Sequence, residues 1–174
     1  MFKYLLYKLF KNILIIFFKM IEVVSANSTH CKMILDWKND ITSRKNSINT
    51  EIISFENHEK WYNNYLKKNP LQLLICKLDN DCIGMVRFDN IFNKKSYKIS
   101  INLNPLFRGK KLSALCLKNA IELFIKHHEC EYIYAEIKPQ NIASIKCFEK
   151  NNFTIFQNTM NSNSNLNMYC LDLT

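Results

Sequence analysis

The residues best placed by type and spacing to do chemistry fall in two short segments, each a turn that opens a helix. The first reads Asn104-Pro105-Leu106-Phe107-Arg108-Gly109-Lys110-Lys111-Leu112-Ser113. Arg108, Lys110 and Lys111 set three cations within four residues, just ahead of an apolar stripe of helical period: Leu112, Leu115, Cys116, Ala120, Leu123 and Phe124. The start of a helix carries unpaired N–H groups and the positive end of the helix dipole. Cations beside bare N–H groups make a cradle for a pyrophosphate. A solvated basic turn would have the same composition. The loop lacks the G-x-x-x-x-G-K-[ST] spacing of a nucleoside-triphosphate loop and the three glycines of a dinucleotide fold. In the second segment, Ile137 to Ser144, Asn141 and Ser144 stand three apart on one face of a first helical turn. Both can hydrogen-bond a ligand lying between the two helices. An asparagine there is equally an ordinary N-cap.

The elements that must position these segments follow from periodicity. The β-branched run 21–25 reads as a first strand. Ser28 or Thr29 can cap a helix through 36–38, with Met33, Ile34 and Trp37 at helical spacing. Residues 39–53 are polar and irregular. Ser54 opens a capping-box pattern, with acids at Glu56 and Glu59, and a helix to about residue 68 that Asn69-Pro70 ends. Two strands, 71–78 and 82–88, flank the turn Asp79-Asn80-Asp81 as a hairpin. Strict alternation makes 97–103 a half-buried strand, broken by Asn104-Pro105. After the helix that begins near Leu112 come a strand at 132–137 and a helix from Asn141 to about residue 150. Strands at 153–156 and 168–173 close the chain around an Asn/Ser-rich loop. The order β-α-α-β-β-β-α-β-α-β-β implies an α/β (α+β) domain, a mixed sheet with helices on both faces.

The chain has 174 residues, 48% of them apolar, which suits one domain over 20–174 with a sizeable core. With two Gly and three Pro it is no linker or low-complexity protein. The net charge of +9 is 24 − 15, and Lys3, Lys8, Lys11 and Lys19 supply +4 of it. The remaining basic body suits anionic partners. It has no basic stripe with interleaved aromatics, so nucleic acid is not expected. Seven Cys without a CxxC, and His127 beside His128, give no metal-ligand spacing. They read as free thiols of a reducing cytoplasm.

Residues 1–19 stand apart. Their four Lys and Asn12 occupy one arc of a helical wheel, and Phe2, Leu5, Leu6, Leu9, Phe10, Ile13, Ile16 and Phe17 the other. Three readings stay open: an extension upstream of a start at Met20, a helix making peripheral contact with a membrane surface, or a signal with a weak cleavage pattern at Val24-Ser25-Ala26.

Taken together, the two turn segments resemble the GNAT superfamily of acyl-CoA N-acyltransferases. The family loop [RQ]-x-x-G-x-[GA] is matched at Arg108, while Lys111 takes the first glycine position and Ser113 the Gly/Ala position. The block N-x-x-[SA]-x-x-x-[YF]-E-K-x-G-F is matched by Asn141, Ser144, Phe148, Glu149, Lys150 and Phe153, with Asn152 at the glycine position. The resemblance covers about residues 20–174 and implies a mostly antiparallel central sheet. It implies acetyl-CoA as co-substrate and no metal. Pantetheine would pair along Ile101, Asn102 and Leu103, diphosphate would rest on the backbone from Arg108 through Gly109, Lys110, Lys111 and Leu112 to Ser113, and Asn141, Ser144 and Phe148 would face the other side of the CoA. Phe148 stands where many of these enzymes carry a proton-donating tyrosine.

A finer resemblance lies in residues 44–62 and 83–89. It points to the enzymes of nonulosonic-acid pathways, which acetylate the free amine of a nucleotide-linked, UDP-type 4-amino-4,6-dideoxy sugar on the way to pseudaminic- or legionaminic-type acids. Glu51, His58 and Glu136 are then the candidate general bases. Arg44, Lys45 and Arg87 are the candidate diphosphate ligands, with Asn46, Asn49 and Asp89 as hydroxyl partners. Two other readings remain: acetylation of a protein N-terminus of the ribosomal-protein type, and a silent acyl-CoA-binding, membrane-associated module, which Lys111 and Phe148 would suit.

Overall fold

Seven strands form one sheet in the computed structural model, which describes residues 20–68, 71–91, 95–156 and 166–174. They are β1 (Ile21–Ser25), β2 (Leu73–Leu78), β3 (Asp81–Asn90), β4 (Ser96–Leu103), β5 (Tyr132–Ile137), β6 (Thr154–Ile155) and β7 (Asn167–Asp172). Their spatial order is β1-β2-β3-β4-β5-β7-β6. Only β4 and β5 run parallel; every other neighbouring pair is antiparallel. The helices are α1 (Cys31–Asn39), α2 (Ile41–Asn46), α3 (Phe55–Lys68), α4 (Ser113–Ile125) and α5 (Ile142–Glu149).

Side chains alternate across the sheet, so β2 and β3 feed two cores. Leu74, Cys76, Leu78, Ile83, Val86 and Phe88 pack beneath Cys116, Leu117, Ala120 and Phe124 of α4. Phe88 stacks on Phe124 with centroids 3.8 Å apart. Leu73, Ile75 and Met85 point the other way, onto Ile34 and Trp37 of α1 and Tyr62 and Tyr65 of α3. The two tyrosines bury their rings because their hydroxyls find carbonyls: Tyr62 donates to Asn27 O (2.7 Å) and Tyr65 to Phe88 O (2.5 Å). Loss of the Phe124 ring would cost about 3–5 kcal/mol.

Three expectations are corrected. The segment 39–53, read as irregular, contains α2. Asp40 caps it, accepting from the N–H groups of Thr42 (3.1 Å) and Ser43 (3.2 Å). Six residues are too few to show a helical period, and Ile41 is exposed. The first helix is entered through a 3-10 turn capped by Asn27, not by Ser28 or Thr29; the Asn27 side chain accepts from Thr29 N–H (3.0 Å). The strand expected over 153–156 shrinks to β6, and Ile155 stays exposed. Segment 1–19 and the Asn69-Pro70 break lie outside the described residues. Among the described residues no helix is long and apolar enough to cross a membrane.

Candidate active site

The parallel pair β4–β5 holds register only at Ser96–Lys98 against Tyr132–Tyr134. Beyond it the two strands diverge. Each keeps its outer antiparallel neighbour, β3 for β4 and β7 for β5. Residues 99–103 and 135–137 therefore line a cavity of about 470 Å³ in the middle of the sheet. Among the described residues the inner edge of β4 there has no strand to pair with, which is the arrangement that accepts an added extended ligand. Gly84 lets β3 approach β4 at that point: a Cβ on it would fall 2.7 Å from Leu103 Cδ2. Ile101, Asn102 and Leu103 all line the cavity.

The first turn segment closes one end. Arg108 N–H bonds Pro105 O (3.4 Å), and α4 begins at Ser113 with Leu112 in the cap position and no side-chain cap. Gly109 (φ +74°) and Lys111 (φ +60°) are both left-handed. The lysine thus occupies a conformation that favours glycine, at a cost of roughly 1–2 kcal/mol. Asn152, the other residue at an expected glycine, is left-handed too (φ +63°); asparagine tolerates that region better. A Cβ on Gly109 would meet nothing within 4 Å, so its requirement is conformational. Arg108, Gly109 and Ser113 line the cavity, whereas Lys110, Lys111 and Leu112 do not. The Lys110 ammonium instead sits 4.6 Å from the Phe107 ring centroid.

The Arg108 side chain does not project freely as a diphosphate ligand would. Its Nη1 donates to Asp40 Oδ1, and its Nη2 to Ser43 Oγ (2.8 Å) and Leu103 O (3.2 Å). The guanidinium holds the Asp40 carboxyl below its usual range. Ser43 Oγ donates to Trp37 O (2.6 Å) and lies 3.1 Å from Asn102 Oδ1. Arg108 thereby fixes α2 to the end of β4.

The second segment closes the opposite side. Asn141 caps α5, accepting from Ser144 N–H (3.3 Å), and Asn141, Ser144, Cys147 and Phe148 line the cavity. Phe148 is buried edge-on against Phe153, with centroids 4.9 Å apart, and has no proton to give.

The remaining wall is built of side chains. Alternation turns Arg87 and Asp89 of β3, Lys98, Ser100 and Asn102 of β4 and Glu136 of β5 toward the side where α1 and α2 lie. Lys98 Nζ and Glu136 Oε2 are 3.4 Å apart. Arg87 Nε (2.9 Å) and Nη2 (2.8 Å) both reach Asp89 Oδ2, and its guanidinium lies over Trp61 (5.4 Å) and Tyr65 (5.8 Å). Arg44 lines the cavity but ties the following loop, donating to Lys38 O (2.6 Å), Glu51 O (2.9 Å) and Ser47 Oγ (2.9 Å).

Several expected residues fall elsewhere. Glu51 and Asn49 are exposed beside the loop, with Asn49 Oδ1 accepting from Glu51 N–H (2.8 Å), and neither lines the cavity. Lys45 is exposed; its carbonyl accepts from Lys138 Nζ (2.9 Å). His58, on α3, is only 2% exposed, and its Nε2 hydrogen-bonds Cys31 O at the start of α1 (3.1 Å). Burial, and then the charge of Lys38, push its pKa below the ordinary imidazole value. The expected base His58 is instead a buried structural residue, held by its hydrogen bond to Cys31 O. Of the three expected bases, Glu136 alone lines the cavity.

Sequence reading missed Lys38, Lys98, Ser43 and Ser100 as cavity residues. The strand alternation at 97–103 could have placed Lys98 and Ser100 on the face of Asn102. Nothing local marks Lys38 or Ser43. Among the described residues no group of His, Cys, Asp and Glu could hold a metal ion.

Residues 33–153 match the profile of the acetyltransferase (GNAT) family. No curated protein matches the chain. Among solved structures, it is similar to the putative acetyltransferase yncA from Salmonella typhimurium, solved with its cofactor acetyl-CoA, at 19% identity and a TM-score of 0.72 over 89% of this chain and 95% of that one. It is also similar to the ribosomal-protein-alanine N-acetyltransferase from Brucella melitensis (18% identity, TM-score 0.72, 87% and 99% covered). The N-acetyltransferase PseH from Campylobacter jejuni gives 19% identity and a TM-score of 0.65 over 88% and 99%.

Proposed function

The chain belongs to the GNAT acetyltransferase family, and from that premise we propose that it transfers acetyl from acetyl-CoA to the free amine of a nucleotide-linked 4-amino-4,6-dideoxy sugar in the cytoplasm. The observation that carries the acceptor class is the charge of the cavity. Six cations line it (Lys38, Arg44, Arg87, Lys98, Arg108 and Lys138) against two acids, Asp89 and Glu136. A polyamine would meet repulsion there; a diphosphate ester would not. Spermidine N-acetyltransferase from Vibrio cholerae shares the fold (TM-score 0.73) at 14% identity, so the fold does not select the acceptor.

In this reading acetyl-CoA lies in the opening between β4 and β5. Its pantetheine pairs with the free edge at Ile101, Asn102 and Leu103. Its diphosphate meets backbone N–H groups of the turn from Gly109 to Ser113, where Gly109 and Ser113 line the cavity and Gly109 and Lys111 are left-handed. Asn141, Ser144 and Phe148 form the opposing side. The acceptor amine attacks the thioester carbonyl, and a backbone N–H of β4 stabilises the oxyanion. Glu136 takes the amine proton, directly or through one water, with Lys98 holding the carboxylate in place. The thiolate leaves with solvent as its proton source, Phe148 having none; a thiol pKa near 8.5 makes it a tolerable leaving group.

The test is release of free thiol from acetyl-CoA by the full chain, with UDP-linked 4-amino sugars, spermidine and N-terminal peptides offered in parallel. Sugar-dependent release supports the reading. Release only with spermidine or peptides overturns the acceptor class and leaves the family intact. Acetyl-CoA binding without release from any amine would favour a silent binding module.

A further inference from the structure

Lys38, at the end of α1, is the cavity cation with the least compensation. Its ammonium lies 4.6 Å from the centroid of Trp61 on α3. Arg44 of α2 is engaged by Lys38 O, Glu51 O and Ser47 Oγ, and Arg87 of β3 by Asp89. Lys38 Nζ itself has no oxygen partner among the described residues. A half-buried ammonium over an indole, with the like charges of Arg87 and Arg44 acting on it, costs folding free energy unless something anionic joins it. The groups facing it are Arg44 from α2, Arg87 and Asp89 from β3, and His58 and Trp61 from α3.

We propose that Lys38 is the specificity residue of the acceptor side, its ammonium binding a phosphoryl group of the acceptor, with Arg87 and Arg44 lining the same cavity and Trp61 packed against the ammonium. This rests on the reading of the acceptor as a phosphate ester. Binding there is coupled to a proton. Burial, then the charges of Arg87 and Arg44, bring the Lys38 amine down to about 7, opposed only by Asp89. A phosphoryl anion favours the ammonium, so above pH 7 its arrival draws one proton from solvent onto Nζ. Acceptor affinity therefore falls as pH rises above about 7, and a guanidinium in place of Lys38 removes that dependence.

Inorganic pyrophosphate is the probe, titrated into the full chain with CoA present at saturation, so that the donor cradle is already filled and cannot be the source of the signal. Changes in tryptophan fluorescence, from Trp37 and Trp61 together, and calorimetry in two buffers of different ionisation enthalpy report affinity and proton uptake. Wild-type protein is expected to bind pyrophosphate, to take up protons at pH 8 and to lose affinity between pH 7 and 9. Lys38→Met is expected to weaken binding by about tenfold or more, the size of one charge-assisted contact. Lys38→Arg is expected to bind without proton uptake, and its pH profile subtracts the ionisation of pyrophosphate itself. Unchanged affinity in Lys38→Met, or equal proton uptake in Lys38→Arg, overturns the proposal. So does an absence of saturable binding once CoA is bound. Thiol release by the same variants separates the two claims. If UDP-amino sugars are not acetylated but pyrophosphate binding depends on Lys38, the subsite stands and the sugar reading fails. If they are acetylated and Lys38→Met leaves their KM unchanged, the subsite fails and the sugar reading stands.

Discussion

The two walls of the cavity are made of different material. The wall read as the donor side is backbone: a strand edge without a partner, a turn with two left-handed residues, and two helix starts. The acceptor side is side chains, delivered by α1, α2, β3, β4 and β5 from positions 38 to 136. A backbone site depends on local sequence, because turn, cap and strand end within a dozen residues of one another. A side-chain site depends on register and packing, which join residues far apart in the chain. The first kind tolerates side-chain change and resists backbone change. The second does the reverse.

Arg108 bridges the two walls, so its reversal is expected to do most damage. Arg108→Glu sets an acid against Asp40 and removes the bonds to Ser43 and Leu103 O. A loss of about 2–4 kcal/mol in urea unfolding and of more than about 100-fold in kcat/KM for thiol release is expected. Wild-type transfer in this variant would mean that α2 need not be fixed to β4.

Glu136→Gln acts on the acceptor wall alone. Transfer should fall roughly 100- to 1,000-fold, while calorimetry finds acetyl-CoA binding unchanged. Equal loss in both measurements would make Glu136 a structural residue of the cleft and not a base.

The donor turn is probed by conformation. Lys111→Gly relieves the left-handed lysine and should leave acetyl-CoA affinity intact, with Tm level or up by a few degrees. Lys111→Val should cost about 1–2 kcal/mol and weaken acetyl-CoA binding, because a β-branched residue resists φ +60°. If both variants bind acetyl-CoA alike, the turn is not held by its backbone.

The smallest effect on transfer belongs to His58. His58→Gln should leave kcat/KM unchanged. In the wild type the folded chain resists protonating this buried ring, so the unfolded chain binds the proton first as pH falls below about 6.5, and stability falls with it. The glutamine variant should flatten the stability profile below about pH 6.5. A transfer defect at neutral pH would return His58 to the chemistry.

What could be read from sequence follows the same division. The strand 97–103, the Asn104-Pro105 break, the cationic turn and the cap at Asn141 each carry local marks, and the structure reproduces them as β4, the turn into α4 and the start of α5. Lys111 and Asn152 stood out as departures from glycine, and both prove left-handed. The acceptor side was read poorly. α2 is one capped turn and a half with no apolar period to betray it. His58 was expected as a candidate base, and its burial against α1 depends on a helix pairing that no local signal encodes. Lys38 and Lys98 line one cavity only because α1 and β4 pack together.

Amide hydrogen exchange with and without acetyl-CoA tests the division most directly. Protection is expected in peptides spanning 101–103 and 109–113, with those around Lys38 and Trp61 unchanged. Protection confined to 38–48, or absent from 109–113, would contradict a donor site built from backbone.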